Sequence, residues 1–294
     1  MEQGGLQLAI EEFPRHRLIR ARVPQAAAMD DAEFAAATFR AYREILAQFR
    51  TAPVRYGVRF WNFIPAINRP AAAGLNRYKV FNAGRFEAWR LEPGQADEVN
   101  GNGFLRRLPT ASGVGTDGPD LVIDALAMDV MAIPVENPRQ IPAYQYSRRY
   151  GACPPCFSRA SLIRTYAGNI RRLLVGGTAS VVGEVSMHDG NLSAQIDESL
   201  KNLAGLVRAA DELRGVIGAK RPLHCFTDLR VYYPPASDPA TIARRLRSYF
   251  AGAADIEYVP ARLCREELLV EIEGVAELSR NGDAVGTEEC YRDA

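Results

Sequence analysis

Between Asp30 and Phe49, the apolar residues Phe34, Phe39, Ile45, Leu46 and Phe49 recur at roughly helical spacing behind an Asp-Asp start. That pattern predicts a helix. Val54 to Ile64 is aromatic and β-branched and reads as a strand running into Pro65. Gly74 to Leu91, with Leu75, Tyr78, Phe81, Phe86 and Trp89, predicts a second amphipathic helix. A Gly-rich loop is expected over Thr110 to Pro119, followed by a buried strand from Leu121 to Met128.

The second half repeats this order. Ser193 to Leu213 carries Ile196, Leu200, Leu203, Leu206 and Val207 on one helical face. Leu223 to Tyr233 alternates as a strand and stops at Pro234-Pro235. Asp238 caps a helix predicted to reach Phe250, and Glu267 to Ala276 reads as a closing strand. Helix, strand, helix, loop, strand thus occurs twice, about 150–165 residues apart. The expected class is α+β, with two αβ modules over 1–150 and 151–294, each preceded by a hairpin such as Leu173 to Met187. Pro134 to Arg159, between them, is rich in Pro, Tyr and Arg, unlike a flexible linker.

Thirty-six basic and 35 acidic residues leave a net charge of +1, so no global field draws the chain to nucleic acid or to an acidic membrane. Only three basic residues are lysines and 33 are arginines, which supplies many planar carboxylate binders. No apolar run approaches the roughly 20 residues of a bilayer span. Met1-Glu-Gln-Gly-Gly5 lacks the basic start and apolar core of a signal peptide. With five cysteines, an odd number, the expectation is reduced thiols in the cytoplasm.

Cys153-Pro-Pro-Cys156 has the spacing of a redox dithiol or half a zinc site, but it follows Arg-Arg-Tyr-Gly rather than opening a helix. His188, His224, Cys225 and Cys290 offer no paired second set of metal ligands, so no metal is expected. Gly113-Val-Gly115-Thr-Asp-Gly118 lacks the Lys-Ser/Thr of a phosphate loop and reads as a tight turn that lets a ligand approach the backbone.

Two features carry candidate chemistry. Glu136 to Tyr150 interleaves Arg, Tyr and Gln with prolines. It suits either a solvated connector or a rigid wall for a small dianion, with Arg139, Tyr144, Tyr146 and Arg148 as binders. In the strand from Cys264 to Glu273, period two puts Glu271 and Glu273 on one face, with Val270 and Ile272 on the other. Such a carboxylate is either a rim charge or a buried acid that keeps its proton.

These residues also carry a resemblance. Val182-Gly-Glu-Val185, Gln195, Ser199-Leu-Lys-Asn-Leu203, Phe226-Thr-Asp-Leu229, Ala261-Arg-Leu263 and Val270 to Ala276 resemble the RidA/YjgF family. The resemblance implies modules of mixed sheet with helices packed on one face, usually assembled as trimers, and it puts Glu271 on the family's cleft glutamate. Asp255 and Ile256 stand where Rid imine deaminases carry an arginine, which argues against that activity.

Most of the chain looks more specifically like a chorismatase, through Arg59-Phe-Trp-Asn-Phe-Ile-Pro65, Gly74-Leu-Asn-Arg-Tyr-Lys-Val-Phe-Asn82, Ser112-Gly-Val-Gly-Thr116, Glu136 to Tyr150 and Gly176-Gly-Thr-Ala-Ser180. That resemblance implies chorismate as substrate and cleavage with release of pyruvate, without a cofactor. Glu271 then protonates the enolpyruvyl methylene. Tyr78, Arg139, Tyr144, Tyr146 and Arg148 are the expected substrate contacts. Gly177 and Cys264 match the branch that forms 3-hydroxybenzoate. The alternatives are a hydrolytic chorismatase and a non-catalytic Rid-like binding module. The expected assembly is a monomer of paired internal modules or a homotrimer.

Overall fold

The computed structural model describes residues 5–50, 54–92, 108–164, 171–216, 221–250, 253 and 255–278; Cys290 lies outside them. In the first half, strands β1 (Gln7–Glu12) and β2 (His16–Val23) form a hairpin. Helix α1 (Asp31–Gln48), strand β3 (Tyr56–Pro65), helix α2 (Arg77–Arg90), strand β4 (Thr110–Thr116) and strand β5 (Leu121–Met128) follow. The strands lie in the order β1-β2-β5-β3-β4, with β3 parallel to β4 and the other pairs antiparallel.

The second half uses the same plan. A connector strand β6 (Ile133–Val135) leads to β7 (Ala160–Arg164) and β8 (Arg171–Ala179), with a small hairpin of β9 (Val181–Val182) and β10 (Val185–Ser186). Helix α3 (Leu192–Leu213), strand β11 (Phe226–Tyr233), helix α4 (Pro239–Arg247), strand β12 (Asp255–Pro260) and strand β13 (Glu271–Leu278) complete it. The sheet order is β12-β11-β13-β8-β7-β6. Matching β7-β8 to β1-β2, β11 to β3, β12 to β4 and β13 to β5 gives one topology twice, including the single parallel pair in each sheet. The expected boundary at 150/151 falls in the connector, whose β6 adds an outer strand to the second sheet.

Local chemistry explains the helix starts. Asp30 accepts from the Glu33 amide at 2.8 Å while the Glu33 carboxylate accepts from the Asp30 amide at 3.0 Å. Such a capping box satisfies two otherwise orphaned donors. Asn76 and Asp238 cap α2 and α4 through the amides of Lys79 and Ala240. The first core lies between α1, α2 and their sheet, with Phe34, Tyr42, Phe60, Phe81 and Ile123 buried. The second lies between α3, α4 and theirs, with Ile196, Leu203, Val231 and Ile272.

Three expectations are corrected. Thr110–Thr116 is a strand, not a loop, because pairing with β3 overrides the weak strand preference of glycine. Its glycines serve close packing: a Cβ on Gly115 would sit 3.0 Å from the Arg262 Cβ. Leu173 to Met187 is not one hairpin. Strand β8 pairs back with β7, and Gly183 at φ 57° turns the separate β9-β10 hairpin. The strand expected from Glu267 begins at Glu271, since Cys264 to Val270 forms the loop that enters it.

The two sheets meet face to face where β4 crosses β8. Gly176 permits that approach, since a Cβ there would lie 2.8 Å from the Ala111 carbonyl oxygen and 2.9 Å from Thr110 Cγ2. A third apolar cluster of Val114, Ala179, Tyr232, Leu263 and Leu268 joins the halves. No helix among the described residues is long and apolar enough to cross a membrane.

The two first-half helices touch at Gly84. A methyl there would strike the Ala35 carbonyl oxygen and approach Thr38 Cβ at 2.9 Å and the Phe39 amide at 3.1 Å. Gly84→Ala should therefore destabilise the protein by about 1–3 kcal/mol or more, although alanine is the better helix former. A denaturant midpoint equal to that of the parent would show that α1 yields freely.

Candidate active site

Strand β13 presents Glu271 and Glu273 toward the first sheet and Ile272 toward its own core, as the alternation requires. The rim alternative is excluded, because both carboxylates are only 4% exposed. Their surroundings differ sharply. Glu273 accepts from Arg59 Nη2 at 2.7 Å, Trp61 Nε1 at 2.9 Å and Tyr232 OH at 3.2 Å, and also from the Ser112 hydroxyl. No described residue donates a hydrogen bond to the carboxyl of Glu271. Burial first, and the charge of Glu273 second, push its pKa up to about 8, against the pull of Arg59, Arg159 and Arg265.

Register makes room for it. Between Ile272 and Gly274 the pairing with β8 slips, so Gly176 and Gly177 together oppose Glu273. Such a bulge turns backbone groups away from the ladder. The Gly177 amide instead donates to Ser112 Oγ at 2.8 Å, tying β8 to β4. A Cβ on Gly177 would overlap the Glu271 carboxyl, with Cδ only 2.6 Å away. The glycine therefore provides the slot for the acid itself.

Glu271, Gly177, Tyr78 and Cys264 line one cavity of about 450 Å³ between the two modules. Helix α2 and the loop before it contribute Asn76, Tyr78, Lys79 and Arg85, and β4 contributes Ala111 to Gly113. The connector supplies Gln140, Tyr146, Arg149, Tyr150, Phe157 and Arg159, and the loop before β13 supplies Cys264 to Leu268. Most cations here are held in place. Arg159 Nη2 donates to Tyr146 OH at 2.5 Å and to the Ile141 carbonyl at 3.2 Å. Arg265 Nη1 donates to the Glu184 carbonyl and to Ser186 Oγ, both at 2.9 Å, and its guanidinium lies 4.2 Å over the Tyr150 ring. Arg85 is buried and donates to Asn82 Oδ1 at 2.7 Å. The Nε–H groups of Arg85 and Arg159 are buried donors without a protein acceptor.

Three expected contacts lie elsewhere. Arg139 pairs with Glu198 and lines a separate groove with Lys201, Arg208 and Arg245. Tyr144 packs partly buried against the first core, and Arg148 is exposed outside the cavity lining, while its neighbour Arg149 belongs to it. For Tyr144 and Arg148 the cause is two short 3₁₀ turns, Ala143–Gln145 and Arg148–Tyr150. With three residues per turn, adjacent side chains point in divergent directions. Arg85 was legible as the residue seven after Tyr78 on one helix face, and Arg265 as the neighbour of Cys264. No local signal marks Arg159. Cys153 and Cys156 are free thiols, and burial pushes Cys156 up to about 12.

Gly177→Ala should expel the Glu271 carboxyl from its slot while leaving the β8 backbone in place. Pyruvate release from chorismate, the activity the sequence implies, should then fall at least tenfold together with any change of product. A crystal structure of the variant with Glu271 unmoved would refute the steric account.

A family profile described as "Chorismatase FkbO/Hyg5-like, N-terminal" matches residues 8–127. Over 238 residues, 79% of this chain and 66% of the relative, the sequence is 35% identical to a 3-hydroxybenzoate synthase of Streptomyces hygroscopicus. It is 33% identical over 258 residues to a chorismatase of Streptomyces rapamycinicus, covering 87% of this chain and 72% of the relative. The chain thus spans about two thirds of the length of these curated relatives. A crystal structure of a chorismatase superposes with a TM-score of 0.78 at 28% identity, covering 93% of this chain and 78% of that one. With the duplicated αβ architecture and a carboxyl-bearing cavity between its halves, the chain belongs to the chorismatase family.

Proposed function

We propose that this protein converts chorismate to 3-hydroxybenzoate and pyruvate, with Glu271 as the general acid. The observation that carries the reading is a buried, donor-free carboxyl at the wall of an arginine-rimmed cavity. An acid whose pKa is pushed up to about 8 still holds its proton at neutral pH. Delivered to the terminal methylene of the enolpyruvyl group, that proton leaves an oxocarbenium centre on the ether carbon. The ring carbon–oxygen bond then breaks with its electron pair going to oxygen, which releases pyruvate. The neighbouring ring hydroxyl attacks the vacated carbon and returns its proton to Glu271. The resulting arene oxide opens by breaking its bond to the carbon that bore the hydroxyl, and the proton of the carbon that carried the ether passes to the oxygen, which restores aromaticity. Atoms balance without added water.

The apolar side of the cavity favours this internal route over hydrolysis. Ala179, Val181, Leu268 and Phe157 line it, and Cys264 stands beside the acid. Burial first, then the charge of Glu271, pushes the Cys264 thiol up to about 12, so it is neither a thiolate trap nor a proton shuttle near neutral pH. Its role is to exclude water by bulk. The substrate's two carboxylates would be taken by Arg159, Arg85 and the exposed Arg149, with the phenol of Tyr78 for a ring oxygen. Residues of both modules reach the cavity within one chain, so a monomer can hold a complete site.

Chromatography of the products of chorismate and purified protein, alongside pyruvate release, tests the reading. 3-Hydroxybenzoate is expected; a dihydroxy-cyclohexadiene carboxylate would transfer the chain to the hydrolytic branch, and no turnover would leave a binding module. Glu271→Gln should remain folded and lose about 10²-fold or more in kcat. In the parent, kcat should fall as pH rises through about 8, because only the protonated carboxyl is competent. Arg149→Ala should raise KM for chorismate several-fold, whereas Arg148→Ala should leave it unchanged. Equal effects of the two would contradict the assignment of the cavity wall.

A further inference from the structure

Two carboxylates share one face of β13, and the cations available to them are unequally divided. Arg59 of β3, Arg159 of the connector and Arg265 of the loop before β13 all pull on Glu271 electrostatically. Cys264 of the same loop and Tyr78 of α2 also face it. None of the three guanidiniums donates to it. Arg159 is engaged by Tyr146, and Arg265 by Glu184 and Ser186. Arg59, only 3% exposed, is bound at 2.7 Å by Glu273. Glu273 in turn collects the Trp61, Tyr232 and Ser112 donors, and Arg230 lies 3.6 Å away. It does not line the cavity.

We propose that Glu273 is a positioning residue of the reaction: by capturing Arg59 and the donors of the module interface, it leaves Glu271 as the carboxyl that carries the proton. The proposal rests on the reading of Glu271 as general acid. If both carboxyls competed for Arg59, two like charges in a desolvated seam would share one cation, and the proton could settle on either. The donor set removes that ambiguity, because every stabilising hydrogen bond is made to the anion of Glu273. The Ser112 hydroxyl serves twice, donating to Glu273 and accepting from the Gly177 amide, so the same cluster fixes the glycine slot. The anion also raises the proton affinity of Glu271, second only to burial.

The test is the pH profile of kcat for Glu273→Gln. Glutamine keeps the shape while removing the negative charge and releasing Arg59, so Glu271 should lose its proton at lower pH. Activity requires the protonated form, so the alkaline limb should move toward acid by at least one pH unit. KM for chorismate should change less than about threefold. A uniform loss of kcat with the limb unmoved would make Glu273 merely structural and overturn the proposal. Should an unpaired buried Arg59 prevent folding, Arg59→Gln with Glu273→Gln removes both charges. The lost repulsion from Glu273 outweighs the lost attraction to Arg59. The limb should therefore still move toward acid, by less, and an unmoved limb there is equally fatal. Glu271→Gln separates the two readings: full turnover in that variant would sink the general acid itself. Its loss of turnover beside an unmoved Glu273→Gln limb would sink only the present proposal.

Discussion

The structure turns on an ion pair buried between two modules, Arg59 of the first sheet with Glu273 of the second, with side chains 3% and 5% exposed. Removing one partner from such a pair costs about 3–5 kcal/mol, since the other charge is left desolvated. Replacing both by apolar residues would cost far less, so the pair is no simple device for stability. What it adds here is register. Arg59 Nη2 reaches both Glu273 and Ser112, and Trp61 and Tyr232 converge on the same carboxylate from opposite sheets. Only one docking of the two sheets satisfies all of these groups.

That docking also places the Glu271 carboxyl. Glu271 lies two residues before Glu273 on the same strand face, so fixing one fixes the other. The bulge at Gly176 and Gly177 supplies close approach at the first glycine and the slot for the Glu271 carboxyl at the second. Serine, glycine and glutamate from three strands thereby form one constellation, with the Glu271 carboxyl pressed into it and Glu273 bound to Arg59 behind it.

The duplicated topology explains why the cavity sits between modules. Each sheet covers one face with its own helices and must bury part of the other, and facing the second copy buries it within one chain. The cavity is what remains at the junction where β4 crosses β8, closed by the connector. Arginine suits the rim because a planar guanidinium can stack on tyrosine and still bind a carboxylate. Arg265 shows the stacking half of this, lying over Tyr150 while it donates to the Glu184 carbonyl and to Ser186.

The sequence by itself determined the elements and much of the chemistry. Capping residues such as Asp30 and Asp238 marked helix starts within a residue, and period two paired Glu271 with Glu273 before any contact was known. The repeated order of elements foretold two matching modules, and uncommon strings such as Arg59 to Pro65 pointed to the chorismatases. Local spacing says which residues share a face, but not what covers that face. The choice between rim charge and buried acid therefore waited for the first sheet to appear opposite β13. Likewise only the 3₁₀ turns of the connector chose Arg149 over Arg148, and only the β8 bulge showed that Gly177 makes room for the acid. Arg159 stayed silent because a loop residue acquires its partners, Tyr146 and Ile141, from chain folded back upon it. Such contacts depend on long-range packing, to which sequence periodicity is blind.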